Sequence, residues 1–502
     1  MAPGLPEAEA VAPLIRGGIS LDALKNAGLL PLRDDGERLT VAAASPECFP
    51  AAQVLAASMG REAWPEFHRR EEIERLLGRL YDLRGGIGDD TLSALEGIDD
   101  DDGILREDVQ SDSVDVPVIK LVNGLIREAL KLRATDIHIE PFEGEVLVRF
   151  RVDGVLHDRL SLPRNLQAPL TSRVKVMARM DIAERLAPQD GRIGITLGGR
   201  AVDIRVSSVP VQHGERLALR LLDKGSGLLG LEELGMDGPS REAMTALVKN
   251  PHGLILFTGP TGSGKTTTLY AILKKLAGPE VNIITVEDPI EYDLEGVGQI
   301  QVNEKAGVTF PSALRSILRQ DPDIIMIGEM RDFETARIGV QASLTGHLVL
   351  STLHTNDSIS ATVRLIEMGI EPYLASGSLL GAVAQRLVRT VCRDCSAWEE
   401  APALFKREGV EKVLRGKGCQ SCMGTGFKGR AGLYEQFIPD EALRELVAGR
   451  ATVAGIRAAA RQKGFRTLWD LGLDALKRGL TSPEELLRVV SPGEFGTAAE
   501  EA

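Results

Sequence analysis

Gly259-Pro260-Thr261-Gly262-Ser263-Gly264-Lys265-Thr266 has the spacing of a loop that wraps phosphates: glycine, four residues, glycine, lysine, threonine. Glycines let the backbone curl until its N–H groups point inward. The helix predicted over Thr267–Leu273 turns its positive N-terminal end to the same point. Lys265 would reach the β- and γ-phosphates as a point charge, and the Thr266 hydroxyl would be one ligand of Mg²⁺. All eight residues and the adjoining Thr267 are therefore candidate ATP contacts. An apolar run, Gly253–Phe257, precedes the loop as a buried strand, which is the context that separates a phosphate loop from an ordinary Gly-rich turn.

Phosphoryl transfer to water also needs the anhydride charge neutralised and a water aligned opposite the leaving oxygen. Three further apolar runs end in groups suited to that. Val281–Val286 leads to Glu287, Asp288 and Glu291; Asp323–Ile327 leads through Gly328 to Glu329; Leu348–Leu353 is bracketed by His347 and His354. In a parallel sheet the C-terminal strand ends share one edge, so these groups are predicted to meet the phosphates. Glu329 is the candidate to orient or deprotonate the water, and Glu287, Asp288 and Glu291 to hold metal-bound waters. His354 would sense the γ-phosphate or couple it to a neighbouring subunit, although histidines beside strands are often structural. Arg315, Arg319 and Arg331 bracket the Glu329 strand. They either pair with surface acids or stabilise the transition state, and the sequence leaves both open.

Four of the five cysteines form the pairs Cys392–Cys395 and Cys419–Cys422, separated by twenty-three residues. Two Cys-x-x-Cys knuckles supply a tetrahedral four-thiolate zinc site with no position left for water, so the metal is predicted to be structural. Cys48 is expected to be simply buried.

Around these groups, 502 residues are too many for one hydrophobic core. The expected domains are a small αβ unit at 1–84, an acidic linker at 85–115, a strand-rich domain at 116–224, a nucleotide domain at 225–390, a cysteine subdomain at 391–432, and C-terminal helices with an acidic tail at 433–502. The linker carries eleven Asp or Glu against one Arg. In the strand-rich domain Val148–Val152, Val202–Val206 and Leu217–Leu221 alternate apolar residues with arginines, which makes one sheet face cationic. A net charge of −13 argues against a protein that coats nucleic acid, and none is expected as a partner. With no leader and no long apolar run in the sequence, a soluble, cytosolic protein is expected.

Taken together, the phosphate loop, the box Thr285–Glu291, the strand Asp323–Glu329 and the histidine box Thr345–Asp357 resemble the secretion and pilus-assembly ATPase superfamily over roughly 116–490. Within it the chain is most similar to the type II secretion ATPases, with pilus-assembly ATPases as the runner-up. A nucleotide-gated switch that hardly hydrolyses ATP is an alternative of another class. The resemblance implies an α/β protein: a RecA-like P-loop domain preceded by a PAS-like α+β domain and a small N-terminal αβ domain, with a tetracysteine zinc insertion. It implies a homo-hexamer on the cytoplasmic face of the bacterial inner membrane, attached peripherally through the N-terminal domain to an inner-membrane secretion-platform protein. Its cofactors would be ATP, Mg²⁺ and Zn²⁺. Arg205 and Arg220 match arginines that approach the γ-phosphate, and Arg315, Arg319 and Arg331 match others near the nucleotide and the subunit contact. No Asp stands where Gly328-Glu329 ends its strand, which leaves Mg²⁺ to Thr266 and waters.

Overall fold

The computed structural model describes residues 27–70, 115–197, 200–223 and 229–491, with isolated positions before residue 27 and between 72 and 77. The expected acidic linker, apart from Asp115, residues 224–228 and the acidic tail lie outside the described residues. The chain divides into two compact units, Met1–Asp223 and Lys224–Ala502.

In the first unit, β1 (Leu29–Asp34) and β2 (Arg38–Ala43) form an antiparallel pair, turned by Asp34–Gly36. The helix Phe49–Ser58 crosses to β3 (Glu62–Phe67), parallel to β2. Leu29, Leu30, Leu39, Val41, Ile73 and Leu77 form its core.

A second sheet of the same unit is antiparallel throughout. Its strands are β4 (Ala134–Pro141), β5 (Glu145–Val152), β6 (Val155–Pro163), β7 (Gln189–Leu197), β8 (Arg200–Val211) and β9 (Gly214–Asp223), in the order β6-β5-β4-β9-β8-β7. Ile137, Phe150, Ile204 and Leu219 of alternate positions face the helices Asp115–Lys131 and Gln167–Ala178, because a period of two puts every second side chain in the core. The opposite face carries a row in direct register: Arg151, Asp136, Arg220, Arg205 and Arg192 stand side by side across five strands. The predicted cationic face is this row, partly neutralised by Asp136, which accepts from Arg220 Nε at 3.0 Å and lies 3.7 Å from Arg151 Nε.

The second unit is built on a seven-stranded sheet. Its strands are β10 (Gly253–Thr258), β11 (Ile283–Glu287), β12 (Val297–Gln301), β13 (Ile324–Ile327), β14 (Leu348–Leu353) and β15 (Leu379–Val391), all parallel. Between β15 and the last strand the chain makes an excursion through the hairpin β16 (Ser396–Glu400) and β17 (Lys412–Gly416). It returns as β18 (Phe427–Phe437), antiparallel to β15, giving the order β12-β11-β13-β14-β10-β15-β18. Strands β10, β13 and β14 are buried along their whole length, which is why they read as uninterrupted apolar runs. The helices expected over 433–502 begin only at Glu441; Tyr434 lies in β18 with its hydroxyl on the Leu234 carbonyl.

Candidate functional site

All strands from β10 to β15 run the same way, so Thr258, Glu287, Ile327 and Leu353 end at one edge. At that edge β10 passes into the phosphate loop and then into the helix Lys265–Leu276. Gly259, Gly262 and Gly264 have φ of 145°, 80° and 88°, the left-handed region that favours glycine. Gly259 is doubly constrained, since a Cβ there would lie 2.6 Å from the Gln385 carbonyl oxygen. Ser263 Oγ is buried without a protein hydrogen-bond partner among the described residues. The first N–H groups of the helix have no intrahelical acceptor. Such a cradle of donors fits an anion.

Lys265 donates from Nζ to the carbonyls of Gly259 at 2.7 Å and Pro260 at 3.1 Å. Burial pulls its ammonium down to about 8, the Arg386 guanidinium adds to that, and Glu329 acts the other way. Arg386 is buried and donates to the carbonyls of Gln385 at 3.1 Å and Asn356 at 3.0 Å. Gln385 in turn accepts from Thr268 Oγ1 at 2.9 Å, which ties β15 to the loop helix. Thr266 and Thr267 are exposed in the first helical turn, as are Pro260 and Thr261 in the loop.

The carboxylates separate into two environments. Glu287 is buried, and three donors hold it: the Tyr270 hydroxyl on Oε2, with Thr285 Oγ1 at 2.5 Å and Gln299 Nε2 at 3.0 Å on Oε1. Tyr270 also accepts from the Glu291 N–H at 3.2 Å. Asp288 is exposed and Glu291 half-buried. Glu329, by contrast, sits just beyond β13 with its side chain only 13% exposed. Arg331 Nη2 is 2.5 Å from Oε1 and His354 Nε2 is 3.5 Å from Oε2. Its strand end is fixed by Thr352 Oγ1, which donates to the Gly328 carbonyl at 2.7 Å.

His354 follows β14, and the next residue joins the loop strand: Thr355 N–H donates to Thr258 Oγ1 at 2.8 Å. His347 lies at the other end of β14, its Nδ1 2.9 Å from the Ala342 carbonyl, and takes no part in the site. Arg315 pairs with Glu334 on the surface, while Arg319 donates to the Arg315 carbonyl at 2.7 Å. Arg205 and Arg220 belong to the first unit. There they line a cavity of about 490 Å³ with His138 and Arg192, and burial lowers the His138 imidazole.

Sequence reasoning missed Tyr270, Gln385, Arg386, Thr258 and Thr355. The one available signal was a tyrosine on the buried stripe of a helix, since its hydroxyl must find a partner.

The four predicted cysteines converge at the start and end of the excursion. Their sulfurs lie within 4.8 Å of one another, with separations of 3.9 Å for Cys392–Cys419, 3.8 Å for Cys395–Cys422 and 3.7 Å for Cys419–Cys422. Tetrahedral coordination at a Zn–S distance of ~2.3 Å places sulfurs about 3.8 Å apart. The donor set and its spacing therefore fit zinc. Although burial opposes it, N–H groups of Cys419 and Gly426 pull the Cys422 thiol down to about 6. Cys48 is only partly buried and lies 3.5 Å from Ser45 Oγ.

The family model for type II/IV secretion system proteins matches residues 111–488, and that for the MshEN domain matches residues 4–87. The type II secretion system ATPase E of Vibrio cholerae serotype O1 is 52% identical over 390 residues, covering 76% of this chain and 77% of its own. Type II secretion system protein E of Dickeya dadantii is 47% identical over 462 residues, covering 90% and 88%. Among solved structures, the pilus retraction motor PilT with bound ADP is 28% identical with a TM-score of 0.50, covering 74% of this chain and 97% of that one. The Legionella pneumophila ATPase DotB, at 20% identity and a TM-score of 0.55 over 76% and 96%, shares the fold. On these matches, and on a phosphate loop that shares its sheet edge with Glu329, the chain belongs to the type II/IV secretion system protein family and is an ATPase similar to its type II secretion members.

Proposed function

We propose that the protein is the hexameric motor of a type II secretion system, hydrolysing ATP at the cytoplasmic face of the inner membrane to drive pseudopilus assembly. The observation that carries this reading is the setting of Glu329, held at the phosphate-loop edge between Arg331 and His354. ATP is bound with its β- and γ-phosphates on the loop amides and Lys265. Mg²⁺, held by Thr266 and through waters by the acidic box, would neutralise charge on the phosphates. Glu329 orients the attacking water and takes its proton as the water oxygen adds to the γ-phosphorus and ADP leaves. Glu287, held by three donors, fixes the acidic box, in which Asp288 and Glu291 would also hold metal-bound waters.

Arg205 and Arg220 grip the γ-phosphate from the first unit, and Arg315, Arg319 and Arg331 serve the nucleotide and the subunit contact. Because triphosphate and diphosphate engage these arginines differently, hydrolysis shifts how the units pack, and that differential affinity moves the ring. The N-terminal residues 1–84 dock on the cytoplasmic domain of an inner-membrane platform protein. Zinc at Cys392, Cys395, Cys419 and Cys422 is structural.

The test is phosphate release by full-length Glu329→Gln. Loss of general-base assistance lowers kcat by about 10²-fold or more while ATP still binds. Turnover at the parental rate would remove Glu329 from the reaction and the motor reading with it.

A further inference from the structure

Glu435 is a fully enclosed carboxylate that the reaction described above does not use. It lies on β18, directly opposite Ala384 of β15, one residue before Gln385. Its relative exposure is 1%. Oε1 accepts from the backbone N–H of Ser358 at 2.8 Å and from Ser358 Oγ at 2.6 Å, while Oε2 accepts from the N–H of Leu468 at 2.9 Å. Ser358 and Leu468 are the first residues of the helices Ser358–Glu367 and Leu468–Lys477. One buried carboxyl group thus accepts from the N-terminal ends of two helices; burial and the neighbouring Asp357 raise its pKa, and the Ser358 and Leu468 donors act the other way.

The first of those helices starts four residues after His354. The turn between them, Thr355-Asn356-Asp357, is held from three further directions. Thr258 of the loop strand accepts from Thr355 N–H, Arg386 donates to the Asn356 carbonyl, and Arg457 of the helix Val453–Gln462 lies 3.1 Å from Asp357 Oδ2. Two of the four ties therefore come from the C-terminal part of the chain, through Glu435 and Arg457. His354 itself is half exposed and meets Glu329 at 3.5 Å, so its place depends on the turn behind it rather than on its own packing. A displacement at Ser358 would reach that contact through the three residues of the tied turn.

We propose that Glu435 is a positioning residue of the ATPase, through which the C-terminal helices set the place of His354 beside Glu329. The inference rests on the proposed role of Glu329 and His354. The Glu435→Gln side chain keeps the shape but turns an NH₂ group toward helix N–H groups that need an acceptor.

The test is steady-state ATP hydrolysis by the full-length protein with Glu435→Gln, His354→Ala and the pair, together with Arg457→Met. We expect Glu435→Gln to lower kcat by about 10-fold with KM for ATP changed by less than about 2-fold, the pattern of an interaction felt in the transition state. In the His354→Ala background the same substitution should cost nothing more, because coupled residues fail to add. Arg457→Met, which leaves the Glu435 bonds intact, should show the same pattern at smaller size. That keeps the test decisive if Glu435→Gln does not fold. Effects of Glu435→Gln, or of Arg457→Met in its place, that multiply with His354→Ala, or parental turnover, would overturn the proposal. If Glu329→Gln abolishes turnover while His354→Ala is silent, the positioning role fails and the hydrolytic assignment stands.

Discussion

Lys265 is a cation kept under tension. Burial, reinforced by the Arg386 guanidinium, lowers its pKa from 10.5 to about 8. Between those values the unfolded chain binds a proton that the native protein does not, so this residue's contribution to stability rises with pH across that window and is a constant penalty below it. A triphosphate bound on the loop as proposed would restore the charged form. ATP binding should therefore take up protons at about pH 9 and few at about pH 7, and Lys265→Met should abolish the uptake. Calorimetry in buffers of different ionisation enthalpy measures this directly. Tyr270 makes a different prediction. Burial and the Glu287 carboxylate push its phenol well above the usual range, so the hydroxyl stays a donor. Tyr270→Phe removes one of three donors from a buried carboxylate and should cost about 1.5–3 kcal/mol, read by urea denaturation of the full chain. At this scale the phosphate loop was legible because its chemistry is local: glycine freedom, a lysine and a helix start within eight residues. Tyr270, Gln385, Arg386 and Glu435 were not, because each acquires its partner only when a strand meets a helix or turn from elsewhere in the sequence.

At the scale of elements, the parallel strands explain why the acidic groups could be placed from sequence. Wholly buried strands carry an apolar run and stop where the run stops, so Glu287, Glu329 and His354 were readable as one edge. The flanking strands were harder. β12 reads Val-Gly-Gln-Ile-Gln with little apolar content, and β18 resumes the nucleotide sheet only after a long excursion, so its Tyr434–Phe437 end reads equally well as a helix start. The excursion itself depends on its knuckles. Gly416 and Gly426 approach so closely that a Cβ on Gly416 would lie 2.1 Å from the Gly426 carbonyl oxygen. The second knuckle is thereby pressed against β17. Cys395→Ser, or a strong chelator, should release one zinc per chain and lower the melting temperature by about 5–10 °C, as expected for loss of a few kcal/mol in a unit of this size. Metal analysis and a thermal scan of the same sample check it. Unchanged melting in metal-free protein would leave the four sulfurs a coincidence of packing.

At the scale of the whole molecule, the arginine row and the phosphate loop belong to different units. If Arg205 and Arg220 act on the γ-phosphate as proposed, replacing both with Gln should depress kcat by about 10³-fold, the range of a donated arginine, with ATP affinity changed only a few-fold. Single-turnover and equilibrium binding measurements on the full chain separate the two effects. Sequence alternation revealed that this sheet face is basic. It did not reveal that Arg151, Arg220, Arg205 and Arg192 fall in one register line, because register is fixed by hairpin geometry rather than by composition. That alignment has a consequence for salt. Like charges on neighbouring strands repel, and Asp136 in the row and Asp190 on the same cavity wall offset only part of that repulsion. Ionic screening relaxes the repulsion once the Debye length falls to the spacing between strands, so added sodium chloride should strengthen this sheet up to about 0.5 M, the reverse of the weakening seen where ion pairs dominate.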